Sequence, residues 1–284
     1  MKPANVVNSL KYRLLNTKSY IQFLSANDKK LRPYISSKEE FRLIHYPRRK
    51  KGTSQLFGNQ IQFPDAYWYL HSIRELFVDA VYNFKAASET PYIIDCGSNI
   101  GLSVLYFKMQ YPQCRIKAFE ADPEICELSK QNLAAFNNIH NVTFINKAVW
   151  INNGVIEFLA EGTLGGSIEL AGENKGEKVI KIPCEDLSDH LNEAVDFLKL
   201  DIEGSELSVL KRCEDKLKNV EYLFVEFHGY TSKEQNLDEL LVIIKNAGFR
   251  YYIKESFPNL IFPFVEKVPA NYFDILLNIF CYRV

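Results

Sequence analysis

"YIIDCGSNIGLSVLYF", residues 92–107, begins as an apolar run, breaks at an acid and a glycine turn, and resumes with apolar residues at helical spacing. That pattern is a buried parallel strand that ends in Asp95, turns through Gly97 and feeds a helix starting near Gly101. Glycine in such a turn lets the backbone approach a ligand closely, and the N–H groups at the helix start point at the same spot. The geometry suits a nucleotide-like cofactor. A dinucleotide site would read G-x-G-x-x-G, but here Asn99 takes the middle position and Leu102 stands where the third glycine belongs. NAD is therefore disfavoured. The order D-x-G-x-N-x-G, followed by an acid ending the second strand (Glu120 in "AFEADP"), is what an S-adenosylmethionine site requires. The turn clears space for the methionyl part, and Glu120 can accept hydrogen bonds from both ribose hydroxyls.

From Ile93 onward, short β-branched runs alternate with amphipathic stretches, the βαβ signature of a mostly parallel sheet. The predicted strands are "YIID", "RIKAFE", "VTFINKAV", "VDFLKLD" and "YLFVEF". Residues 123–137 read as a helix, with Asp122 as its N-cap and Pro123 in its first turn. Residues 154–182 read as a hairpin excursion whose glycine-rich centre, Glu161 to Ser167, is either a flap near the cofactor or only a hairpin loop. "GFRYYI" and the C-terminal "FDILLNIFCYRV" read as an edge hairpin. Residues 1 to about 88 lack the alternation and read as a helical N-terminal cap, with a loop around Pro47 to Gly58.

The 284 residues, 47% of them hydrophobic, supply a full core for one catalytic domain with an appendage. A formal net charge of −1 gives no global pull toward nucleic acid or acidic membranes, and "RRKK" at Arg48 to Lys51 reads as a solvated turn. The six cysteines form no C-x-x-C pair and show no metal-like spacing with the histidines, so they read as reduced thiols used as small hydrophobes. No secretory segment or run of about 18 apolar residues interrupts the chain, which places the protein in the cytoplasm with no membrane span. The sequence leaves the oligomeric state open; a dimer is plausible because soluble α/β enzymes are often dimers.

In order along the chain, "IIDCGSNIGLSVLYFKMQYP", "IKAFEADP", "NKAVW", "VDFLKLDIEGSELSVL" and "VEFHG" resemble the FkbM family of methyltransferases. The resemblance covers roughly residues 63–284, because "FPDAYWYLHSIRELFVDAVYNF" also looks like the lead-in segment of that family. It implies a class I methyltransferase, Rossmann-like α/β fold: a mostly parallel seven-stranded sheet with an antiparallel C-terminal edge strand. The domain would occupy residues 89–284, after an N-terminal helical cap at 1–88. It further implies S-adenosylmethionine as cofactor and O-methylation of a sugar, glycan or natural-product hydroxyl. The chain departs from the family's commoner pattern at Ser98, where alanine is frequent, and at "EFHG", where Tyr and Ser often flank the Glu and His.

Carried onto this sequence, the resemblance places Asp95 within reach of the cofactor amino group, with Gly97, Ser98, Asn99 and Gly101 shaping the turn beneath the methionyl tail. Glu120 takes the ribose, joined by Ala121, and Ala148 lies beside adenine. Asp201, Glu203, Glu226 and His228 should converge at the carboxyl ends of strands four and five, where open α/β sheets bind ligands. Asp201 then touches both cofactor and acceptor. A neutral sugar hydroxyl is a poor nucleophile, so it needs a base, and His228 has the pKa for that work, with Glu226 orienting it. Alternatively Asp201, Glu203 and Glu226 offer hard oxygens for Mg²⁺, which would acidify a coordinated diol. Glu206 reads as a dipole-favourable acid at a helix start. The rival functions are an N-methyltransferase acting on a small amine, and a binding module of the same fold without catalysis. The intact acids at Asp95, Glu120, Asp201 and Glu226 speak against the second.

Overall fold

The computed structural model describes residues 29–137, 139–160, 178–257, 262–265 and 273–284. The glycine-rich stretch Glu161 to Ser167 lies outside them. The chain divides into two compact units, residues 1–81 and 82–284.

In the first unit, helix α1 (Ser37–Ile44) starts from Ser36, whose side chain accepts the N–H of Glu39. Strands β1 (Gly52–Leu56) and β2 (Asn59–Phe63) then form an antiparallel hairpin, and helix α2 (Ala66–Ile73) follows from an Asp65 cap. The hairpin occupies much of the stretch that reads as a loop in the sequence. Its two turn residues, Phe57 and Gly58, both have positive φ (50° and 78°), the primed geometry whose twist matches that of the strands. Ser54, Leu56, Ile61 and Phe63 turn inward while Gln55, Gln60 and Gln62 face out. In the "RRKK" run, Arg48 lies 3.1 Å from Asp65 and stacks on Tyr67. That end of the charge run is fixed on its own unit.

The second unit is built on β3 (Tyr92–Cys96), α3 (Leu102–Gln110), β4 (Arg115–Phe119), α4 (Pro123–Ala134) and β5 (Val142–Ile145). Asp122 caps α4 as its sequence suggests, accepting from the N–H groups of Glu124 at 2.8 Å and Ile125 at 3.3 Å. "VTFINKAV" is two strands and not one. The ladder ends at Ile145, because the Asn146 side chain turns back to donate to the carbonyls of Glu120 and Ala121. The chain then enters β6 (Ala148–Trp150), which joins β7 (Gly154–Ala160) and β8 (Lys178–Asp186) in a separate three-stranded sheet. β7 and β8 are the antiparallel arms of the expected hairpin.

The chain returns to the main sheet through β9 (Val195–Leu200), α5 (Glu206–Cys213), β10 (Val220–Tyr230), α6 (Leu237–Asn246), β11 (Arg250–Phe257) and β12 (Phe273–Tyr282). The seven strands run in the order β11-β12-β10-β9-β3-β4-β5. β12 is antiparallel to both its neighbours at the C-terminal edge, and the other pairs are parallel. This is a Rossmann-like sheet. Ile94, Leu198, Leu200 and Val225 are fully buried at its centre, each contributing about 1.5–3 kcal/mol of burial energy. The strand order reverses beside β3, and open α/β sheets bind ligands at the carboxyl ends of the strands around such a point, here those of β3, β4 and β9. All six cysteines are free and buried. Among the described residues no helix is long and apolar enough to cross a membrane.

Candidate active site

Parallel pairing of β3 with β9 sets Asp95 directly beside Lys199, and a strand's period of two puts Lys199 and Asp201 on one face. Lys199 Nζ therefore lies 3.3 Å from Asp95 and 3.1 Å from Asp201, and donates to the Gly97 carbonyl at 2.7 Å. Burial alone would lower the lysine pKa, but the Asp201 and Asp95 carboxylates outweigh it and the pKa is raised. Asp95 is completely buried, and its other carboxylate oxygen accepts a hydrogen bond from Ser103 Oγ at 2.5 Å. Its carboxylate thus lies beneath the turn, joined to the Lys199 ammonium. Lys199 is the residue that sequence reasoning passed over. The available signal was its alternation with Asp201 at the end of a mostly apolar strand.

Gly97 (φ 87°) is required by its neighbour across the sheet. A Cβ there would stand 1.9 Å from the Asp201 carbonyl oxygen, so the turn after β3 and the end of β9 touch backbone to backbone. Gly101 (φ 88°) faces Leu133 and Ser129 of α4 at 3.1–3.3 Å. The sequence attributes these glycines to ligand clearance, whereas the structure gives them a packing cause first. Between them, Asn99 adopts φ 49°. Its N–H donates to Glu120 Oε2 at 2.9 Å, and the N–H of Asp122 donates to Glu120 Oε1 at 2.9 Å. Glu120 therefore bridges the turn after β3 and the loop after β4. Burial pushes its pKa up to about 7 against the pull of the two N–H donors. Ala121 packs at the edge of a small cluster in which Ala148 is buried with Phe158, Ile182 and Cys184.

On β10 the same alternation puts Glu226, His228 and Tyr230 on one face, and they meet the loop after β9. His228 Nδ1 lies 3.0 Å from Glu206 Oε1 and 3.0 Å from the Glu226 carbonyl. Its Nε2 lies 3.3 Å from Glu203 Oε2 and 3.6 Å from Glu226 Oε2. Burial lowers the imidazole pKa, but Glu203, Glu206 and Glu226 outweigh it and hold it well above the ordinary value. Glu206 opens helix α5 as expected, and it is also buried. It is 1% exposed, and its Oε1 also accepts the N–H groups of Ile202 and Gly204 at 3.1 Å each. This folds the loop so that Glu203 sits at φ 55° and Gly204 at φ 100° against the Tyr230 ring. Asp201, Glu203 and His228 each present one ligand atom, all within 4.8 Å of one another. The structure thus gathers Asp201, Glu203, Glu226 and His228 in one cluster and adds Glu206.

The profile of the methyltransferase FkbM domain matches residues 95–251, more than half of the chain. The chain belongs to the FkbM methyltransferase family. It therefore carries the domain of an S-adenosylmethionine-dependent methyltransferase. Methyltransferase sdnD of Sordaria araneosa is 28% identical over 176 residues, covering 50% of this chain and 68% of that protein. Methyltransferase 1 of Beauveria bassiana is 26% identical over 169 residues, covering 50% of this chain and 66% of that protein. The crystal structure of an FkbM methyltransferase from Methylobacillus flagellatus aligns over 69% of this chain at 17% identity and a TM-score of 0.46. This chain spans 45% of the length of that one.

The FkbM turn fits S-adenosylmethionine on its own chemistry. Ser98 Oγ is buried with no hydrogen-bond partner among the described residues. α3 begins at Gly101 without a side-chain cap, which leaves its first N–H groups for a carboxylate. Glu120 presents two oxygens that each accept only one N–H here, leaving lone pairs for a diol. A pH dependence follows. Below about pH 7 Glu120 carries a proton, which acceptance of two hydroxyl donors must displace. S-adenosylhomocysteine affinity should fall by up to about ten-fold per pH unit as pH drops from 7 toward 5. Asp122 and Lys199 also bear on this carboxyl, so the slope should be checked by calorimetry against Glu120→Gln, in which it should flatten.

Proposed function

We propose that the protein is a cytoplasmic S-adenosylmethionine-dependent O-methyltransferase whose acceptor is a hydroxyl of a sugar, glycan or natural product. The observation that carries this reading is the contact between the two halves of the site. The Asp201 carbonyl abuts Gly97 of the cofactor turn, while the Asp201 side chain belongs to the cluster with Glu226 and His228. Asp95, Gly97, Ser98, Asn99, Gly101, Glu120, Ala121, Ala148 and Asp201 form the cofactor side. His228, Asp201 and Glu226 form the acceptor side.

When bound, S-adenosylmethionine supplies an electrophilic methyl group, which is displaced in line onto the acceptor oxygen with S-adenosylhomocysteine as leaving group. The chain has to hold the hydroxyl in line and take its proton. Glu203, Glu206 and Glu226 hold the His228 pKa well above its ordinary value, which disfavours the free imidazole as the base. Glu226, partly exposed beside it, takes the acceptor proton, and His228 carries the compensating charge. The grouping of Asp201, Glu203 and His228 favours a second reading of the same cluster, in which a divalent cation such as Mg²⁺ acidifies the hydroxyl.

The test is transfer from S-adenosylmethionine bearing a ¹³C methyl group to panels of sugars, glycans, polyols and amines, read by NMR. The account expects ¹³C on oxygen, and a loss of about 10²-fold or more in kcat for Glu226→Gln with the cofactor KM unchanged. Transfer to amines alone would replace this proposal with the N-methyltransferase.

A further inference from the structure

The register of the C-terminal strands carries the acceptor side of the site beyond Glu226. Glu226 of β10 pairs with Asn278 of β12, and Asn278 with Lys254 of the outermost strand, β11. Residues paired across an antiparallel ladder share one face, so these three form a polar row. The next row on that face, toward the start of β10, is Phe224, Phe280 and Tyr252, and the one behind it sets Tyr282 against Arg250. Burial falls along the aromatic row. Phe224 is 2% exposed and packs edge-on against Phe280, whereas Tyr252, its ring centre 6.5 Å from that of Phe280, is 59% exposed. Tyr282, its diagonal neighbour, is 37% exposed. Core packing does not account for these two tyrosines. On β11 this face reads Arg250, Tyr252, Lys254, and both cations are exposed. Lys254 Nζ lies 5.5 Å from the centre of the Phe280 ring, beside the aromatic row. Asn278 is the one polar residue between Ile275 and Cys281. It is buried where the line from Glu226 to Lys254 crosses β12, so an apolar strand is broken by a carboxamide that continues a polar floor outward from Glu226.

We infer that this face is an extended acceptor subsite and that the acceptor is an acidic oligosaccharide. One ring presents its hydroxyl at Glu226, while a second lies on Tyr252 and Tyr282 with a carboxylate, sulfate or phosphate at Arg250 and Lys254. β11 lies two strand spacings from β10, about 9.5 Å, which is farther than one pyranose ring reaches. Tyrosine rings suit the apolar C–H face of a sugar and leave its polar rim to the charged neighbours. Successive residues on one face of a strand stand about 6.7 Å apart, so Arg250 and Lys254 bracket the ring that Tyr252 carries. The acids around His228 repel an anionic group at the reacting end, and the two cations attract one at the far end. The surface's part in catalysis rests on the O-methyltransferase reading, but its binding of the saccharide does not.

The test presents the full chain to an array of neutral, aminated and acidic saccharides, each as monomer and oligomer, with the acid supplied as carboxylate, sulfate or phosphate. Acidic oligosaccharides are expected to bind, and their neutral counterparts and acidic monosaccharides are not. Calorimetry on the best binder should show affinity falling as salt rises. Tyr252→Ala should lower the affinity by about ten-fold, and Tyr252→Phe should restore it. Arg250→Gln combined with Lys254→Gln should lower it by about five-fold and flatten its salt dependence. All three positions are exposed, so these variants keep the fold. In the ¹³C transfer assay they should raise the acceptor KM and leave kcat and the cofactor KM unchanged. Equal binding of neutral oligosaccharides or of acidic monosaccharides overturns the proposal. So does unchanged affinity in Tyr252→Ala, or an array on which no saccharide binds. S-adenosylhomocysteine titration of the same samples separates the two claims. Cofactor binding with methyl transfer to neutral acceptors defeats only the subsite, and acidic-oligosaccharide binding without cofactor binding defeats only the methyltransferase reading.

Discussion

Lys199→Met is expected to destabilise the protein by about 3–5 kcal/mol at neutral pH, the usual cost of removing one partner from a buried ion pair. The substitution keeps most of the aliphatic stem but leaves Asp95 and Asp201 without the ammonium that lies 3.3 and 3.1 Å from them. It also removes the donor to the Gly97 carbonyl, so the turn after β3 and the tip of β9 lose their common anchor. The sign of the pH dependence is set by both partners. Lys199 is raised, so its contribution is complete below the ordinary lysine pKa and fades as pH climbs through the raised value. Asp201 is lowered, so its contribution is complete above the ordinary aspartate pKa and fades as pH falls through the lowered value. The penalty of Lys199→Met should therefore hold from about pH 5 to pH 9 and shrink in acid, once Asp201 takes up a proton. Urea denaturation across that range measures it. A penalty that is small at neutral pH, or constant down to pH 3, would show that the triad does not hold the sheet tips together.

Gly97→Ala should weaken cofactor binding severely while leaving much of the sheet intact. The added methyl group would stand 1.9 Å from the Asp201 carbonyl oxygen, and neither backbone can yield without moving a strand end. The residue would also keep a φ near 87°, which costs a non-glycine residue about 1 kcal/mol or more. Relief requires the turn to separate from β9, which displaces Asn99 from Glu120. S-adenosylhomocysteine affinity is expected to drop by about 100-fold or more. Calorimetry checks the affinity, and circular dichroism checks that the fold survives. Near-native affinity would mean that the turn and β9 are not in backbone contact.

Much of this architecture is legible in the sequence because its signals are local. The strand, turn and helix of residues 92–107 and the Asp122-Pro123 helix start both declare themselves in their own residues. The hairpin at Gly52 to Phe63 does not, because its primed turn places Phe57, a bulky residue, at positive φ where Asn-Gly would have announced it. The break after Ile145 depends on Asn146 bonding back to Glu120, a contact between residues 26 apart. In the site, the acids of "LDIEGSE" and "EFHG" are visible as candidates, but their division of labour is not. Glu206 and Lys199 look like an ordinary helix-start acid and a strand lysine until the pairing of β3 with β9 and the approach of His228 give them buried partners. The unperturbed histidine pKa, the one argument available for His228 as a base, also loses its force in that setting.

The central claim is that the turn after β3 holds S-adenosylmethionine through Glu120. Calorimetric titration with S-adenosylhomocysteine tests it most directly, on the wild-type chain and on Glu120→Ala, with NAD⁺ as control. The account predicts stoichiometric binding of S-adenosylhomocysteine, no binding of NAD⁺, and a loss of about ten-fold or more in Glu120→Ala, the equivalent of one good charge-assisted hydrogen bond. A folded protein that does not bind S-adenosylhomocysteine, or binds it equally well without the Glu120 carboxylate, would contradict it.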